Sequence, residues 1–239
     1  MHCFCATGSA RSCDLRRDPR SALVAPVIKG NFQLPLVFDI GATAAFALTG
    51  AFAGARRGYD VVGVFFLAAA TALGGGLIRD GIFLRRGIPL AIENPLYLIT
   101  VVVSCTVGLL LAKRMRRFER WIVFGDALGL GAYAVVGAQM TLQAGLGITS
   151  ALLIGVLNAV GGGLLRDVLA REEPFVFKPG EAYALVALIG AACFVLLAAV
   201  LQVNVKTAAL VAIAFTFSLR LLVVRYKWRT HPVALPPDV

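Results

Sequence analysis

The sequence predicts an all-α integral membrane protein, with seven transmembrane helices laid out as two inverted three-helix repeats plus a C-terminal seventh helix. Three observations carry that expectation. Of 239 residues, 59% are hydrophobic and only 15% are charged, against about 25% in soluble domains, and the mean hydropathy is +0.84. Uncharged stretches of membrane-crossing length recur along the chain. One motif, a glycine triplet followed two residues later by Arg-Asp, occurs twice.

The uncharged stretches, in order, are Ile40 to Ala55, Val61 to Ile78, Asn94 to Ala112, Ala127 to Leu165, Ala182 to Val205, and Thr207 to Leu219 with Leu221 to Val224 beyond Arg220. A spanning helix needs about 20 mainly apolar residues. The 39-residue stretch from Ala127 therefore holds two helices, folding back near Gln143 to Gly147, and the count is seven spans. The expected organisation is an N-terminal tail over 1–35, disordered; a first repeat over 36–118; a second over 119–205; a seventh helix over 206–224; and a C-terminal tail over 225–239.

Lys and Arg outnumber Asp and Glu by 23 to 13. In a soluble protein that excess would raise the question of nucleic acid; here topology accounts for most of it, and no nucleic-acid partner is expected. With alternating sides, 14 basic residues lie on the side of the C-terminus, including Lys113, Arg114, Arg116, Arg117 and Arg120, and nine on the other. The positive-inside rule then makes the C-terminus cytoplasmic and the N-terminus external, in the cell (inner) membrane, although Arg11, Arg16, Arg17, Arg20 and Lys29 of the N-terminal tail pull the other way. Cys105 and Cys193 fall inside apolar spans as small apolar residues. Cys3, Cys5 and Cys13 have only His2 nearby and do not complete a zinc set, so no metal site is expected.

Aligning Asp39 with Asp126 gives an offset of 87 that superimposes Gly50 on Gly137, Gly58 on Gly145, the triplet Gly74, Gly75, Gly76 on Gly161, Gly162, Gly163, and Arg79-Asp80 on Arg166-Asp167; 13 of 42 positions are identical. The chain is duplicated. Three spans per repeat is an odd number, so the second copy starts on the opposite side of the bilayer. Inverted repeats with interrupted helices at matching positions are a recurring plan in transport proteins, and spans two and five are those helices.

Three glycines each cost about 1 kcal/mol against alanine in a helix. Irregular backbone at membrane depth is tolerated only where it is buried in protein or lines water. One reading is a bent helix whose carbonyls line a hydrated path; the other is close packing of two helices, as small-xxx-small patterns provide. Ionisable residues at membrane depth face a cavity or a partner. Asp39, Arg79 and Asp80 are expected to meet at the outer face, and Asp126, Arg166 and Asp167 at the inner face. Arg79 would pair with Asp39 or Asp80, and Arg166 with Asp126 or Asp167. Each cluster sums to minus one and favours cations, with the arginines as movable plugs. Thr71 and Asn158, equivalent positions three residues before each triplet, offer oxygen at the midplane.

No span carries a Ser/His/Asp or Cys/His set, and both histidines, His2 and His231, lie in the tails. No catalytic residue, enzymatic activity or cofactor is expected. No strand precedes Gly74 and no Lys follows the triplet, so it is not a phosphate loop.

The segments "ALTGAFAGARRGYDVVGVFFLAAATALGGGLIRD" and "ITSALLIGVLNAVGGGLLRD", each with its upstream Asp, resemble the prokaryotic branch of the trimeric intracellular cation (TRIC) channel family, over about Leu36 to Val224. Such sequences also carry a glycine-transporter label. The resemblance implies a homotrimer in membrane lipid. Each protomer would hold its own pore for potassium or another monovalent cation, bounded by helices two and five where they bend at their triplets. A secondary transporter of a small solute such as glycine is the alternative, and a membrane scaffold whose glycines serve only packing is a third.

Overall fold

The computed structural model describes residues 36–84, 87–112, 115–177, 182–226 and 228. The tail expected over 1–35, with His2, Cys3, Cys5 and Cys13, lies outside the described residues, as do Lys113, Arg114 and His231. Among the described residues the chain is helical with no strand: α1 Leu36–Arg56, α2 Val61–Ile78, α3 Leu90–Glu93, α4 Pro95–Leu111, α5 Met115–Gln143, α6 Ile148–Leu169, α7 Tyr183–Val195 and α8 Val205–Tyr226. A π-helical turn follows α2 at Arg79–Phe83 and another follows α7 at Leu196–Val200. Six helices are long and apolar enough to cross a membrane by length and composition, and the 17-residue α4 is a shorter apolar helix.

Local chemistry sets the boundaries. Asp60 caps α2 by accepting from the Gly63 amide at 2.7 Å. Asn94 accepts from the Leu96 amide at 3.0 Å, with Pro95 at the first helical position of α4. Asn204 likewise accepts from Lys206 at the start of α8. The α1–α2 and α5–α6 turns each place a glycine in the left-handed region, Gly58 at φ 73° and Gly145 at φ 77°. These positions are 87 residues apart, and a side chain at either would strain the backbone.

The duplication is visible in the packing. Within the first repeat α1 packs on α2 and α4, and α2 on α4; within the second, α5 packs on α6 and α7, and α6 on α7. The repeats join through α1 against α5 and α2 against α6, while α8, outside the duplication, docks on α5 and α7. The core runs through the middle of this bundle, with Phe46, Leu130, Val135, Val186 and Phe194 essentially inaccessible. Large apolar side chains such as Leu98, Ile99, Val103, Leu153, Leu185 and Leu210 point outward, as a lipid-facing surface requires.

Helices two and five of the duplication, α2 and α6, are not broken at their triplets. The α-helix continues through Gly74–Gly76 to Ile78 and through Gly161–Gly163 to Leu169. The expectation of a broken helix at each triplet is corrected here: the irregular backbone of the first repeat comes after the triplet, in the π turn at Arg79. The cause is tertiary. α2 and α6 cross at these glycines so closely that a Cβ on Gly75 would lie 2.5 Å from the Asn158 carbonyl, and one on Gly162 would collide with the Thr71 carbonyl. Contact across the crossing offsets the weak helix propensity of glycine.

Candidate functional site

Two charged clusters sit at opposite ends of α1. Asp39, in its first turn, lines a small crevice with Arg79, Asp80, Tyr97 and Tyr133. Thr49, Phe52 and Arg56, toward the other end, line a larger cavity with Asp126, Arg166, Asp167, Glu172 and Arg220. The expected groupings of Asp39, Arg79 and Asp80, and of Asp126, Arg166 and Asp167, are both present. The crevice at the Asp39 end holds about 10 Å³ and the cavity at the Asp126 end about 310 Å³. The first has room for about one water; the second for a chain of them or a small hydrated ion.

At the Asp39 end, Arg79 makes a two-pronged bond to Asp80, Nε to Oδ1 at 2.7 Å and Nη2 to Oδ2 at 3.0 Å, with both side chains almost fully buried. Its remaining arm donates to Asn158 Oδ1 at 3.4 Å, across the α2–α6 crossing. Asp39 is held instead by the Tyr97 hydroxyl, 2.5 Å away, from α4. At the Asp126 end, Arg166 bonds Asp167 at 2.9 Å and also reaches Asp126 at 3.5 Å, while the Tyr183 hydroxyl donates to Asp126 at 3.3 Å. Asp80 accepts from the Leu90 amide at 3.3 Å and Asp167 from the Phe175 amide at 3.1 Å, so each carboxylate also ties down the segment that follows its helix.

Several of these contacts obey a pseudo-two-fold relation. Phe46 and Tyr133, equivalent positions, stack on each other with centroids 5.3 Å apart and planes 8° apart. Gly75 abuts Asn158 while Gly162 abuts Thr71; Gly50 abuts Thr71 while Gly137 abuts Asn158. Tyr97 to Asp39 and Tyr183 to Asp126 form another such pair. The symmetry fails at the arginines: Arg79 leans inward to Asn158 and Arg166 leans outward to Asp126.

Thr71 and Asn158 are both buried and lie at the crossing, and neither lines the crevice or the cavity. The Thr71 hydroxyl donates to the Leu67 carbonyl at 2.6 Å. The Asn158 amide donates to the Tyr133 carbonyl at 2.7 Å. Around them the Tyr133 hydroxyl meets Thr43 at 2.8 Å and donates to the Ala72 carbonyl at 3.1 Å.

Sequence reasoning missed three contributors. Tyr97 and Tyr183 escape an ungapped comparison because they are 86 residues apart rather than 87, although a one-residue gap would have found them. Arg220, from α8, is buried on the wall of the larger cavity with its guanidinium 4.7 Å from the centre of the Tyr183 ring. Its only sequence signal is a lone charge in an apolar span.

Among the described residues no group of three or more His, Cys, Asp or Glu side chains is placed to hold a metal ion.

A protein-family model described as a glycine transporter matches residues 36–113 and 123–199, two segments that start 87 residues apart. The chain is 32% identical over 198 residues to the UPF0126 inner membrane protein YadS of Escherichia coli, covering 82% of this chain and 95% of that one. It is 37% identical over 161 residues to a UPF0126 membrane protein of Deinococcus radiodurans, covering 67% and 74%. Among solved structures, it resembles a TRIC cation channel studied for the basis of its conductance, with a TM-score of 0.78 and 29% identity over 86% of this chain and 100% of that one. It also resembles the TRIC trimeric intracellular cation channel orthologue from Rhodobacter sphaeroides, with a TM-score of 0.75 and 32% identity over 80% and 97%.

Proposed function

This chain belongs to the membrane-protein family whose model is described as a glycine transporter and whose solved structures are TRIC cation channels, and from that membership we propose that it is a passive channel for monovalent cations, chiefly potassium. Each protomer of a homotrimer carries its own pore, running between α1, α2, α5 and α6 from the Asp39 cluster to the Asp126 cluster. One observation carries the reading: buried acidic clusters cap both ends of the α2–α6 crossing, and a cavity of about 310 Å³ already leads to one of them. The Asp39 cluster, with two carboxylates to one arginine, draws cations toward a low-dielectric path, and the Asp126 cluster offers them carboxylates beside its arginines. Arg79 is the plug of the closed end, because its bond to Asn158 lies across the crossing. Opening moves Arg79 off Asn158 and parts the glycine contact.

The parity of the chain supports seven crossings. Arg57 pairs with Glu172 at 3.0 Å and Tyr59 donates to the Leu169 carbonyl at 3.0 Å, so the α1–α2 turn and the segment after α6 share one side of the membrane. The chain between them must cross an even number of times, and α2, α5 and α6 alone make three. α4 is the fourth crossing; at 17 residues it meets the lower limit for a span. The two repeats are then inverted, with the N-terminus external and the C-terminus cytoplasmic by the positive-inside rule.

Purified protein in planar bilayers is expected to give unitary currents whose reversal potential follows a potassium gradient. Saturable glycine uptake without such currents would overturn the channel reading in favour of a secondary transporter. That second reading is favoured by the family model's description and by a cavity open at one end and sealed at the other, as in one state of an alternating-access cycle.

A further inference from the structure

The larger cavity is not the electrostatic twin of the crevice. The crevice is lined by two carboxylates, Asp39 and Asp80, and one arginine, Arg79. The cavity is lined by three carboxylates, Asp126, Asp167 and Glu172, and three arginines, Arg56, Arg166 and Arg220. Duplication alone would give both ends the same net charge of minus one. The balance is changed at depth by Arg220, which comes from α8, the helix with no counterpart in the duplication. Its guanidinium is buried and fixed over the Tyr183 ring, next to the hydroxyl that donates to Asp126. Nearer the mouth, Glu172 is paired with Arg57 at 3.0 Å and Arg56 is exposed, so the charges left at depth are Asp126, Asp167, Arg166 and Arg220, which sum to zero.

We infer that Arg220 is a charge-setting residue of the permeation path: it neutralises the cavity wall and makes cation entry easier from the Asp39 end than from the Asp126 end, so that the open protomer rectifies. The inference rests on the channel reading and goes beyond it. In water, a unit charge about 8 Å from a passing cation changes the local cation concentration about two-fold. The effect is largest at about 10 mM salt, where the screening length is about 30 Å, and vanishes at about 1 M, where it is about 3 Å.

The test is unitary current at equal and opposite voltages in symmetric KCl, taken as the ratio of the larger to the smaller so that the direction of insertion does not matter. At about 10 mM KCl the wild-type ratio is expected near two, Arg220→Lys keeps it, and Arg220→Gln, which leaves each wall at minus one, brings it to one. At about 1 M KCl all three are expected to read one. Where Arg220→Gln fails to assemble, Arg56→Gln, at an exposed position on the same wall, removes one positive charge from the cavity mouth and is expected to lower the ratio in the same direction by a smaller amount. A wild-type ratio of one at low salt, a ratio untouched by the neutralised variant, or a change that persists undiminished at high salt overturns the inference. Absence of any cation current from the wild-type protein instead sinks the channel reading, and this inference with it.

Discussion

Glycine at the helix crossing does the opposite of what its propensity alone suggests. Gly75 and Gly162 sit where any added carbon meets a backbone carbonyl of the facing helix, and backbone has nowhere to give. Gly41, by contrast, has nothing within 4 Å of its Cβ direction. Gly75→Ala is therefore expected to lower stability by about 1–3 kcal/mol as an overpacked site, with Gly162→Ala at least as costly. Gly41→Ala should be neutral or gain up to about 1 kcal/mol from helix propensity. Thermal unfolding of the purified protein in detergent checks the order; equal melting of Gly75→Ala and Gly41→Ala would show that the crossing has room for a methyl group. The triplet was legible in the sequence as a special place. Whether it breaks a helix or lets two helices touch was not, because that depends on what lies opposite, and the partner of Gly75 is Asn158, far along the chain.

Helices were the most legible level. Most of the uncharged stretches start and end within a few residues of the observed elements: Val61 to Ile78 is α2 itself, and the fold-back expected near Gln143 to Gly147 is the α5–α6 turn. The clusters of Asp39, Arg79, Asp80 and of Asp126, Arg166, Asp167 were legible because the duplication repeats them at one spacing. The π turns, the short α3 and the start of α5 at Met115 left no hydropathy signal, since they are settled by tertiary contacts and by charged residues that remain helical. Nor does hydropathy say how α8 docks. That follows from Gly190 of α7, where a Cβ would strike Thr216 Oγ1 and come within 2.9 Å of its Cγ2. Thr216 is fully buried, its hydroxyl bonded to the Ala212 carbonyl at 2.6 Å. Gly190→Ala should thus wedge α8 away from α7, and Thr216→Ala should make room. Unfolding of the two single variants and the double variant is expected to give a favourable coupling of about 1 kcal/mol or more. Strict additivity would mean that α8 is held elsewhere, for instance through Gly131 of α5 against the Ile213 carbonyl of α8.

At the scale of the whole molecule, the arrangement depends on which sides of the membrane the turns occupy. The Arg57–Glu172 pair is partly exposed, and a single surface pair contributes little stability, about 0–1 kcal/mol; its value is as a marker of topology. If α4 crosses, Arg57 and Glu173 lie on one side, and Ile88 and Ala144 on the other. If α4 only lies along the surface, Ala144 joins Arg57 while Glu173 joins Ile88, and the contact between the α1–α2 turn and the segment after α6 cannot form. Single cysteines at these four positions, in a chain lacking Cys3, Cys5, Cys13, Cys105 and Cys193, separate the two arrangements. In intact cells a membrane-impermeant thiol reagent is expected to label Ile88→Cys and Ala144→Cys, and to reach Arg57→Cys and Glu173→Cys only after the membrane is opened. Labelling with the two pairs exchanged would preserve the inverted repeat and reverse its orientation, meaning that the basic N-terminal tail outweighs the Lys113 to Arg120 cluster. Labelling of Glu173→Cys together with Ile88→Cys would remove the fourth crossing, and with it a path whose acidic mouths open on opposite sides of the bilayer.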